Sequence, residues 1–180
     1  MGYSIELYFE PIFEEKINHL WDDLSKACIP SIFQNIGSRP HLSLAILNKC
    51  NESQLSTLIK DFCNSFSPFS LEFPSIALIP GKQQTVFLVP VENNQLYDVH
   101  KTLFHLLQDT GNSPLNRYKP NKWLPHCSIS KELSAIEALN TIEICQHSKI
   151  FGNTKVVELG FIEFRPRRLI QAHLFCKGNE

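Results

Sequence analysis

The chain has 180 residues, of which 43% are hydrophobic and 19% are charged. This length suits one domain or two small lobes that share a core, and the composition is typical of globular proteins rather than disordered ones. The 17 Lys and Arg against 18 Asp and Glu leave a formal net charge of −1. That balance argues against a protein that coats nucleic acid, because such proteins carry a broad basic excess.

The sequence also predicts a compartment. The N-terminal residues lack a basic stretch followed by an apolar one, so we expect no signal peptide. No uninterrupted apolar run approaches the roughly 18 residues of a membrane span. The six cysteines include no C-x-x-C pair, so we expect reduced thiols in the cytoplasm, with no structural zinc site and no disulfide framework.

Apolar periodicity predicts helices and strands along the whole chain, since alternation is typical of strands and a spacing of three and four is typical of helices. In chain order the pattern predicts a strand over 3–9, a helix over 13–28, a strand over 41–47, a helix from Asn51, strands over 71–79 and 85–91 joined by a turn at Pro80-Gly81, a helix from Leu96, a polar loop over 110–124, a short strand over 126–130, a helix from Ser134, and strands at roughly 155–164 and 169–176.

These predicted elements repeat in order. Position 126 lies 85 residues after position 41, and the same offset carries the first helix onto the third and the strand pair 71–79 and 85–91 onto the last two strands. Only the pattern repeats, because the residues themselves share little identity. Two such units are too few for a solenoid. They indicate two lobes related by a pseudo-two-fold axis, which places the strands that begin at His41 and His126 in equivalent positions.

Each of these two strands opens with the same short motif, Pro-His-x-Ser. His41 and Ser43 share one strand face, and the apolar residues between and after them share the other, because side chains alternate along a strand. The same holds for His126 and Ser128. If the pseudo-two-fold is real, two imidazoles and two hydroxyls converge on one groove.

Such a group suits phosphodiester chemistry. An imidazole exchanges protons near neutral pH, so one histidine can serve as base on the attacking oxygen and the other as acid on the leaving oxygen. Two hydroxyls can bind the non-bridging phosphate oxygens and hold the phosphorus for in-line attack. The arrangement requires no metal, and the apparent symmetry leaves open which histidine plays which part.

A single H-x-Ser/Thr match carries little information, since seven histidines give about one such match by chance. A third match, His100-Lys101-Thr102, lies in a predicted helix, where residues two apart do not share a face. We therefore set it aside. The alternative for the other two is a pair of strand-end histidines whose nitrogens are satisfied by local hydrogen bonds.

The paired motifs resemble those of the 2H phosphoesterases, which include RNA 2′,3′-cyclic phosphodiesterases, also called 2′-5′ RNA ligases, and 2′,5′-oligoadenylate phosphodiesterases. The resemblance covers most of the chain and implies one 2H phosphoesterase-like domain over 1–180. The implied fold is α+β, with two pseudo-symmetric lobes, antiparallel sheets lining a central groove and helices outside. It further implies that no metal or other cofactor takes part.

By this resemblance His41 and His126 are the catalytic pair, and Ser43 and Ser128 are the phosphate-binding hydroxyls. Many members end the second motif in arginine, where this chain has Lys131 in HCSISK. A lysine still offers phosphate a point charge but lacks the bidentate fork. The implied activity is hydrolysis of 2′,3′-cyclic phosphate ends or 2′-5′ linkages, with ligation as the reverse reaction. A small nucleotide or an RNA end is the expected partner, with no membrane and no obligate protein partner.

Further candidates for substrate contact flank the motifs. Arg39 precedes His41 by two residues and could reach phosphate, although a solvated arginine is an equal alternative. Tyr118 and Trp123 lie on the loop that enters the second motif and could stack a base, although a core or rim position suits Trp123 equally well. The basic turn in FRPRRLI, residues 164–170, is typical of a solvated hairpin but could also flank the groove.

Two other classes of function remain open from the sequence. The chain could be a non-catalytic module that binds nucleotides or RNA ends in the same groove, or an interaction domain whose repeated pattern serves folding alone. The presence of both histidines and both hydroxyls gives no support to a loss of catalysis.

Overall fold

The computed structural model describes residues 2–30 and 32–176, which contain eight strands and five α-helices. In chain order they are β1 (Gly2–Phe9), α1 (Pro11–Lys26), α2 (Ile32–Asn35), β2 (His41–Leu47), α3 (Glu52–Cys63), β3 (Phe69–Phe73), β4 (Ser75–Ile79), β5 (Gln84–Val89), α4 (Asn94–Asp109), β6 (Cys127–Leu133), α5 (Ala135–Gln146), β7 (Gly152–Phe164) and β8 (Arg168–Leu174). All strand pairs are antiparallel, which confirms the predicted α+β class.

The strands follow the order β3-β7-β1-β2-β6-β5-β4, and β8 lies beside β3 on the same edge of β7. They form two groups: a first group of β1, β2, β3, β7 and β8, and a second group of β4, β5 and β6. Only one residue pair, Leu42 with Cys127, joins β2 to β6 in the register. The two motif strands are therefore direct neighbours where the two groups meet.

The prediction of one strand over 71–79 is wrong. Pro74 separates β3 from β4, and the two short strands run to opposite edges of the sheet, β3 beside β7 and β4 beside β5. Proline has no backbone N–H to give to a strand ladder, so the chain leaves one group and enters the other at this residue.

The 85-residue offset holds for the last two strands along the chain, since β7 and β8 lie where it places them, but it does not extend to their pairing in the sheet. The strand β5 pairs directly with the second motif strand, β6, whereas its counterpart in sequence, β8, lies on the outer edge of β7. The strand that lies beside the first motif strand is β1. Strand order along the chain repeats, but strand order in the sheet does not follow it, because pairing partners are not encoded by local pattern.

Both motif strands contain a β-bulge at the same place. In β2 the register passes from Ser43 to Ala45, which leaves Leu44 as the extra residue. In β6 it passes from Ser128 to Ser130, which leaves Ile129 as the extra residue, 85 positions later. A bulge shifts the alternation by one residue.

The shift decides which later side chains share the motif face. Ala45 and Ser130 turn into the core, where they are 1% and 0% exposed. Ile46 and Lys131, which simple alternation assigns to the opposite face, are half-buried like the motif histidines and serines. The bulges therefore add a fifth functional candidate, Lys131, to the motif face.

Helix α1 and the segment after it hold the second bulge in place. The Trp21 indole Nε1 donates to the carbonyl of Ile129 at 2.9 Å, and the Ser130 hydroxyl donates to the carbonyl of Pro30 at 2.7 Å. Both polar groups of the bulge thus find partners although they lie in the interior, where an unpaired group costs about 1–3 kcal/mol. Nearby, α1 packs on the sheet through Phe13, whose ring stacks on Phe73 with centroids 5.4 Å apart.

Among the described residues, no helix is both long enough and apolar enough to cross a membrane. The six cysteines carry free thiols.

Candidate active site

The two motif histidines are held in the same way. The Nδ1 atom of His41 lies 2.7 Å from the carbonyl oxygen of Arg39, and that of His126 lies 2.7 Å from the carbonyl oxygen of Leu124. Because a carbonyl only accepts hydrogen bonds, each Nδ1 carries the hydrogen of the neutral ring. Each Nε2 is then the nitrogen that can exchange a proton. Local hydrogen bonding satisfies one nitrogen of each ring and leaves the other for chemistry.

The side chains opposite the motifs on the neighbouring strands differ between the two groups. Glu6 of β1 lies opposite Ser43, and Phe87 of β5 lies opposite Ser128. The Glu6 carboxylate oxygen Oε1 is 3.5 Å from Nε2 of His41. At the corresponding place the Phe87 ring packs edge-on against the His126 ring, with centroids 5.1 Å apart. One histidine thus faces a carboxylate and the other faces a hydrocarbon ring.

Glu6 is 2% exposed, and three side chains contact its carboxylate. The Tyr8 hydroxyl donates to Oε2 at 2.9 Å, and the Arg167 guanidinium lies 3.5 Å from the same oxygen. With His41 on Oε1, the carboxylate has a partner for each oxygen, as a buried charge requires. Glu6 was not among the residues predicted from the sequence. Its signal is a charged residue in the middle of the strand GYSIELYF, since buried glutamate is rare unless paired.

Arg167 comes from the basic turn between β7 and β8, and its side chain is only 13% exposed. Besides Glu6, it contacts the Tyr8 hydroxyl at 3.4 Å and donates through Nε to the carbonyl of Gly37 at 3.3 Å. The interpretation of this turn as a solvated hairpin is therefore wrong for Arg167. It does describe Arg168, which is half-exposed and pairs with two carboxylates away from the motifs.

The environment of His126 favours its neutral form. Burial lowers the pKa of this imidazole below its usual value of 6.5, and the positive charges of His41 and Arg117 act in the same direction. The hydrogen bond to the Leu124 carbonyl opposes them but does not reverse the direction. A neutral ring with a free Nε2 lone pair is the form that accepts a proton.

The hydroxyl-bearing residues share the motif face, where Ser43 and Ser128 are half-buried. The Ser43 side chain lies close enough to the Tyr118 hydroxyl to act on it, which brings the first motif beside the loop that enters the second. Lys131 places its ammonium 5.2 Å from the centre of the Phe33 ring, and the edge of that ring also contacts His41. The structure thus brings Lys131 of the second motif near His41 of the first.

Arg39 does not offer its guanidinium to a ligand. It binds both carboxylate oxygens of Glu14, at 2.8 and 3.1 Å, and one of Glu158 at 2.6 Å, and it lies 4.0 Å above the Tyr8 ring. This arginine therefore links α1, β1 and β7 beside the site. Its pairing favours a structural role over the predicted contact with phosphate.

Trp123 and Tyr118 are both buried, at 9% and 6% exposure, and neither presents an open ring to a base. The Trp123 indole Nε1 donates to the carbonyl of Ser43 at 3.0 Å, and its ring stacks on His100 with centroids 3.9 Å apart. His100 in turn contacts the carbonyl of Tyr118 through Nε2 at 2.9 Å. The loop thus supports strand β2 through Trp123, which agrees with the core position that the sequence allowed for this residue.

The histidine of the discarded third motif thus has a structural part. His100 is 2% exposed, and burial lowers its pKa to about 4. Its ring stays neutral and packs between α4 and the loop. Among the described residues, no three His, Cys, Asp or Glu side chains are grouped as ligands for a metal ion.

The chain matches known proteins over most of its length. The family model of the 2′-5′ RNA ligase superfamily matches residues 11–167. E. coli LigT in its apo form superposes with a TM-score of 0.60 at 14% identity, covering 98% of each chain. A protein of Thermus thermophilus gives 0.63 at 13% identity, covering 99% of this chain and 100% of that one. A structure described as a phosphoesterase gives 0.59 at 16% identity, covering 97% and 98%.

No curated protein has a significant match to this sequence. The solved structures are too distant in sequence to show more than a common fold, but the family model spans well over half of the chain. The resemblance predicted from the paired motifs is thereby confirmed, and the chain belongs to the 2′-5′ RNA ligase superfamily of 2H phosphoesterases.

Proposed function

We propose that this protein is a metal-independent phosphoesterase that acts on 2′,3′-cyclic phosphate ends or 2′-5′ linkages of RNA or short nucleotides. The observation that carries the proposal is the matched pair of imidazoles, each with Nδ1 fixed by a backbone carbonyl and a serine two residues later on the same face. A structure of E. coli LigT holds 3′-AMP, a nucleotide with a phosphate on its ribose, and shares this fold with a TM-score of 0.55.

The surroundings of the two histidines support a division of labour. His126 lies against Phe87 in a buried place that favours the neutral ring, which suits a general base. His41 faces the Glu6 carboxylate, which provides a counter-charge for a protonated ring and suits a general acid. Opposite environments for two like groups are a common way to separate acid from base.

On a cyclic phosphate the two histidines act on opposite sides of the phosphorus. His126 takes a proton from water while the water oxygen bonds to phosphorus. The bond from phosphorus to one ribose oxygen breaks, and His41 donates its proton to that oxygen. The hydroxyls of Ser43 and Ser128 donate to the non-bridging oxygens, and the Lys131 ammonium balances their charge.

On a 2′-5′ linkage the same groups serve a different nucleophile. His126 takes the proton of the neighbouring ribose 3′-hydroxyl, whose oxygen attacks phosphorus, and His41 protonates the departing 5′-oxygen. The products are a 2′,3′-cyclic phosphate and a free 5′-hydroxyl. Reversal of this step forms a 2′-5′ bond, so one site can show either activity.

The test is hydrolysis of nucleoside 2′,3′-cyclic phosphates in the presence of EDTA, with identification of the product isomer. We expect turnover by the wild type and a loss of at least about a hundredfold in His41→Ala and in His126→Ala. The matched control is His19→Ala, which removes an exposed histidine on α1.

Three results would count against the proposal or parts of it. Loss of activity in EDTA contradicts metal independence. Normal turnover by either motif variant contradicts the two-histidine mechanism. If the wild type binds 3′-AMP but hydrolyses neither cyclic phosphates nor 2′-5′ oligonucleotides, the groove belongs to a binding module instead.

A further inference from the structure

The loop before the second motif carries a cation that no prediction from the sequence included. Arg117 lies in a short 3-10 turn, Asn116–Tyr118, and its side chain is exposed. Its guanidinium carbon is 5.3 Å from the centre of the Tyr118 ring. At this position the guanidinium also acts on the Tyr118 hydroxyl.

That hydroxyl is also the partner of Ser43. The Arg117 guanidinium and the Ser43 side chain therefore both lie beside the Tyr118 side chain. Arg117 is also close enough to His126 for its charge to act on that ring. A cation on the loop thus lies between the hydroxyl of the first motif and the histidine of the second.

Arg117 differs from three other arginines of the chain in having no carboxylate partner among the described residues. Arg39, Arg167 and Arg168 each pair with at least one glutamate. Across residues 2–30 and 32–176, no ion pair involves Arg117. Its only polar side-chain contact in that part of the chain is a neutral phenol, which leaves most of its five N–H donors for a ligand.

The turn that carries Arg117 is fixed at both ends to the catalytic scaffold. The Leu115 N–H donates to the carbonyl of Ile46 in β2 at 2.9 Å. The Tyr118 carbonyl accepts from His100 of α4. A guanidinium presented from a tethered backbone loses less entropy on binding than one on a free loop.

We propose that Arg117 binds the non-bridging oxygens of the reacting phosphate beside the Ser43 hydroxyl and supplies the bidentate fork that Lys131 lacks. This inference rests on the proposed function, because it takes the motif groove as the phosphate site. A planar guanidinium can contact two phosphate oxygens at once, whereas the ammonium of Lys131 offers a point charge from the other side of the second motif.

The test measures phosphate affinity directly. Inorganic phosphate and 3′-AMP are titrated by calorimetry into the wild type, Arg117→Ala, Arg117→Lys and Lys60→Ala. The last variant removes an exposed cation on α3 and controls for net charge. We expect Arg117→Ala to weaken both ligands about tenfold or more, Arg117→Lys to recover only part of this loss, and Lys60→Ala to stay within about twofold.

Kinetics on a nucleoside 2′,3′-cyclic phosphate provide the second readout. Arg117→Ala should lower kcat/KM by at least about tenfold, with a wild-type thermal unfolding midpoint as the check on folding. Wild-type phosphate affinity and kinetics in Arg117→Ala overturn the inference.

The two proposals fail separately. A wild type without turnover whose phosphate affinity still depends on Arg117 overturns the proposed function and supports the phosphate site. A wild type with turnover that does not depend on Arg117 overturns only the phosphate site.

Discussion

Two chemically identical imidazoles have different neighbours in this protein. The difference comes from one position on each adjacent strand: Glu6 opposite Ser43 and Phe87 opposite Ser128. A carboxylate beside a histidine stabilises positive charge on the ring, and an aromatic wall disfavours it. A pair of motifs that is symmetric in sequence therefore lies in an asymmetric environment, which residues outside the motifs create.

Replacement of Glu6 by glutamine tests this asymmetry at the residue scale. The amide keeps the shape and can still accept from Tyr8, but it removes the counter-charge from His41 and Arg167. We expect kcat to fall about tenfold or more with KM changed by less than about threefold. Steady-state kinetics check this, with Glu72→Gln on the exposed side of β3 as the control. Equal kinetics in both variants would show that Glu6 only supports the fold.

The pH profile provides a second residue-scale test. A base must be neutral to act, and the pKa of His126 is lowered by burial. Its neutral form therefore persists to lower pH than that of an ordinary histidine. We expect the acidic limb of kcat/KM to lie below pH 6.5 and to move to higher pH in Phe87→Ala, which admits water to the ring. An acidic limb above the usual histidine value in the wild type would contradict the assignment of His126 as base.

At the scale of elements, the loop over 110–124 contacts and stabilises strand β2. It reaches the strand through Leu115 and Trp123, and it reaches α4 through the stacked ring of His100. His100 is buried in its neutral form, so protonating it requires either a buried charge or release of the loop. The packing of this loop against α4 is thus sensitive to acid.

The direction of this sensitivity follows from the two pKa values. The pKa of His100 is about 4 in the folded protein and near 6.5 when unfolded. Between these two pKa values His100 binds a proton in the unfolded chain but not in the folded one. The free energy of unfolding therefore falls as pH drops from 6.5 to 4. At about 1.4 kcal/mol per pH unit, the loss approaches about 3 kcal/mol.

Urea unfolding across this pH range checks the prediction. In His100→Gln the part of the pH dependence that comes from this residue should disappear, whatever the variant costs at neutral pH. An unchanged pH dependence in the variant would assign the acid sensitivity to other groups.

The pairing of β1 with β7 leaves room for one large side chain because Gly160 lies opposite Glu6. The Tyr8 ring crosses the space where a side chain at 160 would lie, and it reaches both Glu6 and Arg39 from there. Gly160→Ala should therefore destabilise the protein by about 1–3 kcal/mol. Chemical denaturation of a double-mutant cycle with Tyr8→Ala measures this. The cost of the alanine should shrink when the ring is absent, and a cost that persists there would point to backbone strain instead.

At the scale of the whole molecule, local pattern predicted the kinds of element well and their partners poorly. Alternation and helical spacing predicted the helices and strands, the Pro-His-x-Ser pairs predicted the family, and the resemblance to that family implied the α+β class. The family and the class are both confirmed. The roles of His41, Ser43, His126 and Ser128 in catalysis stay predictions.

The features of the site that the sequence pattern did not predict depend on contacts between distant segments. A period of two assigns a residue to a face but not to a neighbouring strand, so the contact of Glu6 with His41 was invisible. The bulges at Leu44 and Ile129 exist only in a paired ladder, so alternation alone could not place Lys131 on the motif face. The ion pairs of Arg39 and the stacking of Trp123 on His100 were not predicted, because the partners come from other elements.

The sheet order has a consequence for how the chain acquires its structure. The second group of strands, β4 to β6, lies within 75–133. In the first group, the central strand β1 pairs on one side with β7, which begins only at residue 152. Loop-closure entropy delays contacts of such long sequence separation. We expect pulse-labelled hydrogen exchange to show protection of β5 and β6 amides before those of β7. On that route Glu6 and Arg167 come together among the last contacts, so the carboxylate that faces His41 gains its guanidinium partner only late in folding.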